Sequence, residues 1–432
     1  MLIGFKVKNF KSFKDLQYFS LIASKVRNNE NHYVEIQDKK ILKFSGIYGA
    51  NGSGKSNLIT AMDFIHGILE FGTGIIIDKL YFRGAEILSN EPTYFEYELA
   101  LNNKLYSYGF EMILKERRII SEWLIDMTNR EKIIFNRDII NADYKSISNK
   151  KNGSINICLE EMKNNSTVLF LSEIIRRSSM FTIKDEYIEE IEKINHFFRF
   201  DFIVIRPDTH KMLSYDFMEH RKEKIEILNQ LDINIEQLNE DAEDIKNLKN
   251  ILTDSVFSNI MNTISKMNSN NRMTLTIANN VYVIGIDENN QPVVKSLSFK
   301  HKNCKDKFGT YEESDGTIRL FELLDVIFSE DKVFVIDELD SSLHPLLVNG
   351  FLSKYLKTNN NNQLIVTTHE SKTLDFDLVR RDEIWFTEKS EDCSSKLYSL
   401  EEFKDIARFD RKIDKAYMEG RFGGIANINL NE

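Results

Sequence analysis

The chain has 432 residues, a formal net charge of −10 and a hydrophobic content of 42%. This length is long for one domain and short for three. The acidic balance excludes a protein coated in basic surface for bulk nucleic-acid binding, but it leaves room for a local basic groove. No stretch of about 18 uninterrupted apolar residues occurs, so we expect no membrane-spanning helix. The three cysteines are isolated from one another, which fits neither disulfides nor a zinc site and favours a cytoplasmic location.

The N-terminal part predicts strands around a phosphate-binding loop. Short alternating apolar segments at 2–7, 16–23 and 40–46 read as strands, and the first of them does not resemble a signal peptide. The third leads into GANGSGKS at 49–56, after which residues 57–69 follow a helical apolar rhythm. Residues 93–141 alternate again and predict an antiparallel meander. We therefore expect an N-terminal lobe over 1–150.

The middle of the chain has a different character. Residues 186–198 and 216–267 are charged, poor in proline and periodic at helical spacing, with one apolar stripe formed by Ile225, Leu228, Leu231, Ile235 and Leu238. This pattern predicts a mostly helical insertion over 151–272, coiled in part and closed by an asparagine-rich loop at 266–272. Helix-to-helix packing and a dedicated partner surface both remain open as its role.

The C-terminal part returns to strands and helices. Strands are expected over 273–300 and helices over 315–329 and 345–357, and VFVID and LIVTTH are short, wholly apolar strands. Such strands alternating with helices predict a parallel sheet covered on both faces. The fold class is therefore α/β, a P-loop fold split between 1–150 and 273–432, with a mixed sheet flanked by helices, an antiparallel β subdomain and the helical insertion.

GANGSGKS satisfies the P-loop pattern GxxxxGK[ST] at every position and lies between a predicted strand and a predicted helix. Its glycines let backbone N–H groups surround phosphate oxygens, and the following helix presents its positive end to the same anion. Lys55 should reach the β- and γ-phosphates of ATP, and Ser56 should bind Mg²⁺. The expected ATP-binding residues are Gly49, Asn51, Gly52, Ser53, Gly54, Lys55, Ser56 and Asn57.

VFVIDE at 333–338 is a matching Walker B strand. It places Asp337 at the carboxyl end of a buried strand, where a carboxylate can hold the Mg²⁺ shell. The next residue, Glu338, can orient or deprotonate the water that attacks the γ-phosphate. Two adjacent carboxylates suit this division between metal binding and general base catalysis.

Three further motifs surround Walker B in order: EESDGT at 312–317, LDSSLHP at 339–345 and TTHE at 367–370. With the opening FKVKNFKSF, this set resembles the ABC-type ATPases, specifically their SMC- and RecF-like branch. The resemblance implies that Ser314 and Gly316 form the signature, that Asp340 is the D-loop residue and that His369 is the switch histidine. Taken alone, SDG is also a helix N-cap pattern and a histidine at a strand end is also a structural pattern. Their order and spacing favour the functional interpretation.

In such ATPases the signature serves the nucleotide held by the other protomer, so the resemblance implies an ATP-sandwich dimer. One feature departs from the pattern. ABC ATPases carry a glutamine after the helix of the first lobe, and this chain has no glutamine between Gln37 and Gln230. Glu91 or Glu96 stands as a candidate for that place.

A closer resemblance is to the RloA-like (AbiLi-like) ATPases of bacterial phage-defence systems, relatives of AriA and PtuA. It is carried by NFKSF, GANGSGKSNL, EPTYFEYEL, EESDGTIRLFEL, VFVIDELDSSLHP, TTHES, RRDEIWFTEK and YMEGRFGGI. The family implies an ATP-driven sensor or scaffold, a dimer or larger assembly of dimers, that controls a separately encoded effector, frequently a nuclease. A phage protein or nucleic acid would be the trigger, and no membrane is involved.

The sequence itself shows an ATPase and no second catalytic centre. The carboxylates of 375–405 are scattered among lysines and arginines like a solvated face, and the arginine pair at 380–381 resembles surface pairing. Three hypotheses follow: a defence ATPase controlling an effector, a RecF-type DNA-repair or DNA-end-binding ATPase, and the ATP-binding subunit of a transporter. The transporter is disfavoured because EESDGT lacks the LSGGQ form and the insertion is unlike a compact coupling subdomain.

Overall fold

The computed structural model describes residues 1–26, 28–76, 79–148, 153–180, 187–207, 220–265, 267, 272–277, 280–287, 289–403 and 413–425. The chain forms two compact units. The first unit consists of Met1–Ile205, Glu330–Leu339 and Asn359–Glu432, and the second of Arg206–Ser329 and Asp340–Thr358. Most of the loop expected at 266–272 lies outside the described residues.

The strands of the first unit are β1 (Leu2–Lys8), β2 (Gln17–Ser20), β3 (Tyr33–Ile36), β4 (Lys39–Leu42), β5 (Phe44–Tyr48), β6 (Thr93–Leu101), β7 (Lys104–Ile113), β8 (Arg118–Asp126), β9 (Lys132–Asp138), β10 (Asp143–Ser146), β11 (Phe202–Ile205), β17 (Val333–Ile336), β18 (Gln363–Thr367), β19 (Ile384–Lys389) and β20 (Ser395–Ser399). Its helices are α1 (Lys55–Phe71), α2 (Ser154–Glu161), α3 (Phe170–Arg177), α4 (Ile188–His196) and α10 (Ile413–Met418).

The sheet that carries the sequence motifs has six strands in the order β11-β17-β18-β5-β19-β20. Its first five strands are parallel, and β20 is antiparallel to β19. All residues of β5, β17 and β18 are buried, as a sheet covered on both faces requires. Because parallel strands end at the same edge, the loops after β5, β17 and β18 converge there. This arrangement confirms the predicted α/β P-loop fold, with β5 from the N-terminal part of the chain and β17 to β20 from the C-terminal part. The sixth strand, β11, comes from the stretch 151–272 that was predicted as a mostly helical insertion.

A second sheet in the first unit is antiparallel, with the order β10-β9-β8-β7-β6-β1-β2. It contains the predicted meander as β6 to β9. The apolar side of α1 packs on it in one core, where Phe64 stacks on Phe95 with ring centroids 5.0 Å apart. The stretch Lys55–Ile75 is long and apolar enough to cross a membrane by length and composition alone. A core helix passes the same test, and seven apolar residues of α1 are buried in this core: Leu58, Ile59, Ala61, Met62, Ile65, Ile68 and Leu69.

The second unit contains β12 (Ile235–Glu243), β13 (Arg272–Ile277), β14 (Asn280–Ile286), β15 (Pro292–His301) and β16 (Phe308–Gly309), and helices α5 (Arg221–Gln230), α6 (Ile245–Ile251), α7 (Asp254–Ile264), α8 (Asp315–Phe328) and α9 (Pro345–Tyr355). Its antiparallel sheet has the order β12-β15-β14-β13, with β16 beside β15. The strands expected at 273–300 and the helices at 315–329 and 345–357 are therefore confirmed.

The apolar stripe from Ile225 to Leu238 does not form one helix. Helix α5 ends at Gln230, and the chain turns through Asp232, whose φ is +65°. Strand β12 then begins at Ile235 and pairs with β15, with a register shift between Ile235 and Gln237. This irregularity lets Ile235 and Leu238, three residues apart, both be buried on a strand. A helical spacing therefore predicted the wrong element.

The expected coiled character of the insertion is also wrong in the described residues. The helices α2 to α7 have 7 to 11 residues each, which is too short for several heptads.

The expectation of a solvated face at 375–405 is wrong around Arg380. Its guanidinium is fully buried and donates from Nε to Asp382 Oδ1 at 2.9 Å and from Nη2 to Asp382 Oδ2 at 2.7 Å. The neighbouring Glu383 is buried against His32, with Nδ1 to Oε1 at 3.0 Å. Burial raises the pKa of Glu383, and the contact with His32 opposes that shift. This polar group is a structural brace in the first unit.

Candidate functional site

The Walker A loop connects β5 to α1 at the converging edge of the parallel sheet. Gly52 and Gly54 have φ values of +76° and +116°, a backbone conformation that favours glycine. A Cβ at Gly54 would also lie 2.3 Å from Ser395 Oγ. The loop can therefore adopt this shape only with glycine at 54, and the following helix begins at Lys55.

Lys55 is buried, and its ammonium lies over the loop. Nζ donates to the carbonyl oxygen of Gly49 at 2.8 Å and to that of Ala50 at 3.1 Å. It also lies 3.5 Å from Nδ1 of His369, which follows β18. A lysine held in this position can exchange carbonyl partners for phosphate oxygens without moving far.

Asp337 stands at the end of β17 opposite the first turn of α1. Its Oδ1 accepts from Ser56 Oγ at 3.2 Å and from Thr367 Oγ1 at 2.5 Å. Thr367 also accepts the backbone N–H of Glu338 at 2.8 Å. Glu338 has φ +52°, a conformation uncommon outside glycine, and such strain concentrates at functional sites.

The site brings together Lys55, Ser56, Asp337, Glu338 and His369 from the loops after three parallel strands. A hydroxyl and a carboxylate are the hard oxygen donors that Mg²⁺ prefers. Across the described ranges no group of three or more His, Cys, Asp or Glu side chains could hold a metal.

The Walker A loop is held by hydrogen bonds from residues that the sequence did not predict. Ser53 Oγ lies 2.6 Å from Thr387 Oγ1, and Ser395 Oγ lies 2.6 Å from the Ser53 carbonyl oxygen and 2.8 Å from Ser12 Oγ. Asn57 Nδ2 donates to Ser12 Oγ at 2.8 Å. Ser12 belongs to the NFKSF motif, so the motif could have indicated it. Thr387 and Ser395 carried no comparable signal.

The signature and D-loop residues lie in the second unit. Ser314 is the N-cap of α8, and its Oγ accepts from the backbone N–H of Thr317 at 3.1 Å. A Cβ at Gly316 would lie 2.7 Å from the carbonyl oxygen of Ser342. Glycine therefore allows the segment from Asp340 to approach the start of α8, where Asp340 accepts from the backbone N–H of Leu343 at 3.1 Å.

Neither candidate for the missing glutamine has a contact with Ser56 or Asp337 that the structure shows. Glu91 is exposed. Glu96, on β6, accepts from Lys6 Nζ at 3.1 Å and from Ser107 Oγ at 2.7 Å, and also from the Tyr94 hydroxyl. Burial raises its pKa, but Tyr94, Ser107 and Lys6 together bring that pKa below its usual value. The carboxylate is thus engaged within the antiparallel sheet.

The first unit has one cavity beside the Walker A residue Asn57 and a second cavity that shares Lys79 and Arg83 with it. One of about 900 Å³ is lined by Ser12 and Asn57, together with Lys11, Lys79 and Arg83. The other, of about 590 Å³, is lined by Lys79, Arg83, Lys115 and Arg117, with Glu86 as its acidic residue. All four cations of the second cavity are exposed. They form a local positive cluster on a chain of net charge −10.

Comparisons with known proteins agree with the motif set. The family model described as "AAA domain, putative AbiEii toxin, Type IV TA system" matches residues 44–375. No curated protein matches the sequence.

Among solved structures, the chain is similar to the SMC head bound to the C-winged helix domain of ScpA, with 17% identity, a TM-score of 0.42, and coverage of 93% of this chain and 99% of that one. It is also similar to the SMC head domain from Thermotoga maritima, with 14% identity, a TM-score of 0.37, and coverage of 92% and 98%. A third is the Smc head domain with an extended coiled coil bound to the C-terminal domain of ScpA derived from Pyrococcus furiosus, with 17% identity, a TM-score of 0.41, and coverage of 97% and 99%.

Proposed function

The chain belongs to the AAA-domain family whose model spans residues 44–375, and on that premise we propose that it binds ATP with Mg²⁺ in the Walker A loop and hydrolyses it there. The observation that carries the proposal is the contact of Ser56 with Asp337 at 3.2 Å, beside a lysine already held over the loop. These residues come from positions 281 apart in the sequence, and the fold brings them to one sheet edge.

Each residue then has a role in phosphoryl transfer. The loop around Gly49, Gly52 and Gly54 surrounds the phosphates, with Asn51, Ser53 and Asn57 shaping and bracing it. Lys55 stabilises the charge on the β- and γ-phosphates. Ser56 and Asp337 would hold Mg²⁺, which neutralises charge developing on the phosphate oxygens.

Glu338 and His369 act on the attacking water. The carboxylate of Glu338 orients the water or accepts its proton, and His369, next to Lys55, contacts the γ-phosphate or the water. The strained backbone of Glu338 and its N–H bond to Thr367 support this role, because they fix the residue directly after the metal-binding Asp337.

The complete site is a sandwich of two chains. Ser314 and Gly316 would meet the γ-phosphate held by the partner, because the start of α8 offers a hydroxyl and the positive end of a helix dipole. Asp340 would lie at the seam between the protomers. The close approach of the Asp340 segment to Gly316 supports a joint role, since it groups the two motifs on one surface.

In the cell, the protein would be the cytoplasmic sensor or scaffold subunit of a bacterial anti-phage, abortive-infection system of the RloA-like type. It would control a separately encoded effector, a nuclease, and respond to a phage protein or nucleic acid. The family description, which names a toxin of a type IV TA system, supports this assignment.

Expression tests this role directly. Wild-type protein should restrict phage growth or arrest cells only when the neighbouring gene is expressed with it, and the Lys55→Ala variant should not. Full activity of the Lys55→Ala variant would refute an ATP-dependent sensor.

The second candidate is a RecF/SMC-like ATPase that binds DNA or DNA ends. The cluster of Lys79, Arg83, Lys115 and Arg117 favours it, because phosphate contacts require exposed cations. This function predicts salt-sensitive binding of duplex DNA, ATP hydrolysis stimulated by DNA, and loss of both in a Lys115→Ala/Arg117→Ala variant. The defence function predicts hydrolysis that duplex DNA does not change.

A further inference from the structure

The C-terminal segment 413–425 packs against the base of the Walker A loop. It contains α10 and the sequence GRFGG at 420–424, part of the YMEGRFGGI motif. Ile413, Ala416 and Tyr417 are buried, as is Phe422 after the helix. The segment is thus docked in the first unit rather than left as an open tail.

Aromatic rings join this segment to the strands beside the loop. Tyr417 stacks on Phe386 of β19, with centroids 5.4 Å apart and planes at 20°, and it meets Tyr48 edge-on at 6.4 Å. Phe422 stacks on the same Phe386 at 5.9 Å. Tyr48 is the last residue of β5, and Gly49 follows it directly. Tyr48, Phe386, Tyr417 and Phe422 therefore form an aromatic group that lies next to Gly49, the first residue of the Walker A loop.

The backbone of Gly424 reaches the loop itself. A Cβ at Gly424 would lie 3.7 Å from Cα of Gly49 and 3.4 Å from the carbonyl oxygen of Thr387. The side chain of Thr387 in turn lies against Ser53 at 2.6 Å. The hydroxyl of Tyr417 donates to the carbonyl oxygen of Gly424 at 3.1 Å, which holds the glycine in place.

The same aromatic group also touches the region after His369. The hydroxyl of Tyr48 lies 2.8 Å from Thr373 Oγ1, and Thr373 belongs to the short turn Ser371–Thr373. One cluster thus contacts the start of the phosphate loop and the turn that follows the switch histidine.

We propose that segment 413–425 is a positioning element of the nucleotide site, in which Tyr417 and Gly424 hold the Walker A loop in its phosphate-binding shape. A glycine-rich loop loses much conformational freedom when it surrounds an anion, so a support behind it lowers the cost of binding. Both residues act on the nucleotide site through Gly49 and Thr387. This inference rests on the proposed ATP-binding function.

The segment provides a matched pair of glycines for the test. Gly424 has φ +66° and Gly420 has φ +77°, so alanine is strained at both positions. Only Gly424 lies against the Walker A loop, because a Cβ at Gly420 would meet the flexible end of Ile425. Gly424→Ala and Gly420→Ala in the full chain therefore separate backbone strain in the segment from an effect on the loop.

The measurements are the Kd for ATP with Mg²⁺, the KM and kcat of hydrolysis, and the thermal unfolding midpoint. Gly424→Ala should raise Kd and KM about three- to tenfold, whereas Gly420→Ala should lower the unfolding midpoint equally but leave Kd unchanged. Tyr417→Phe, which keeps the ring and removes the hydroxyl, should raise Kd in the same direction with kcat largely retained.

Equal Kd values for the two glycine variants, or a Tyr417→Phe variant that binds ATP like wild type, would overturn the positioning role while leaving ATP binding intact. If the wild-type chain and the Lys55→Ala variant bind ATP equally weakly, the proposed function itself fails and this inference falls with it. The binding measurement thus distinguishes the two failures.

Discussion

The hydroxyl of Thr367, at the end of β18, donates to the carboxylate of Asp337, which follows β17, at 2.5 Å. The same hydroxyl oxygen of Thr367 also accepts a hydrogen bond from the backbone N–H of Glu338 at 2.8 Å. One threonine therefore orients the proposed metal ligand and fixes the backbone of the proposed general base.

Replacing Thr367 by valine keeps the shape of the side chain and removes both hydrogen bonds. Because the buried Asp337 and the half-buried N–H of Glu338 then each lose a hydrogen-bond partner, we expect the free energy of unfolding to fall by about 1–3 kcal/mol. We also expect a lower kcat with a smaller change in KM. Urea denaturation and steady-state hydrolysis measure the two effects. Thr276→Val, at an exposed position of β13, is the control and should change neither.

Asp337→Asn should impair the use of Mg²⁺ rather than the binding of nucleotide. An amide still accepts from Ser56 and Thr367, but it no longer supplies the negative charge that a divalent cation requires. The Mg²⁺ concentration for half-maximal hydrolysis should rise by about 100-fold or more. This rise is larger than the one caused by losing a residue that only hydrogen-bonds to a metal ligand. Removal of divalent cations with EDTA should abolish hydrolysis by the wild-type chain. An Asp337→Asn curve that coincides with that of the exposed-site control Asp331→Asn would exclude Asp337 as a ligand.

Mixing two inactive variants tests the shared site. Lys55→Ala removes the phosphate-binding lysine, and Ser314→Arg blocks the signature with a large side chain at the start of α8. Each should be inactive alone, yet a mixture should recover hydrolysis because one of its two sites combines an intact loop with an intact signature. A mixture of Lys55→Ala and Glu338→Gln should recover nothing, since both changes affect the same half-site. Recovery in neither mixture would favour a site complete within one chain.

The sequence predicts those parts of the site that depend on neighbours in the chain. Lys55, Ser56 and Asp337 could be placed because a glycine loop between strand and helix, and a buried strand ending in two carboxylates, have one local geometry each. The partners of Ser53 could not be placed, because Thr387 on β19 and Ser395 on β20 lie 334 and 342 residues away from it in the sequence. Their contacts depend on the order of the strands.

The secondary structure was predicted best where apolar residues recur at a regular spacing without interruption. The period-two segments of β6 to β9 and the short apolar strands β17 and β18 are as expected. The apolar stripe that ends at Ile235 and Leu238 was wrongly predicted as helix, because a strand irregularity gives the same three-residue spacing as a helix turn. Arg380 was wrongly predicted to lie on the surface, because a charged residue is normally exposed. Only the fold shows that its guanidinium donates hydrogen bonds to Asp382 and to the carbonyl oxygen of Asn28.

Glu322 on α8 should make stability depend on pH. Burial raises its pKa to about 7 from a usual 4.5, although Arg319 nearby opposes the shift. Its Oε1 has no hydrogen-bond partner among the described residues. The folded chain thus binds more protons than the unfolded chain between pH 4.5 and 7, so stability falls as pH rises through that window.

Glu322→Gln resembles the protonated carboxyl and removes this dependence. The variant and the wild type should have similar free energies of unfolding at pH 5. At pH 8 the variant should be more stable, by at most on the order of 3 kcal/mol. Urea denaturation at both values of pH measures the difference. A wild-type stability that rises between pH 5 and 7, with Glu322→Gln following it in parallel, would contradict the assignment.

Hydrolysis by the Glu338→Gln variant tests the central claim most directly. Glutamine keeps the size of the side chain and cannot accept the proton of the attacking water, so kcat should fall by about 10²- to 10⁴-fold. The Kd for ATP should stay close to that of wild type, and ATP should trap a stable dimer. The exposed-site control Glu330→Gln should hydrolyse ATP normally. If the Glu338→Gln variant turns over ATP at the wild-type rate, Glu338 is not the catalytic base and the proposed assignment of the Walker B site is wrong.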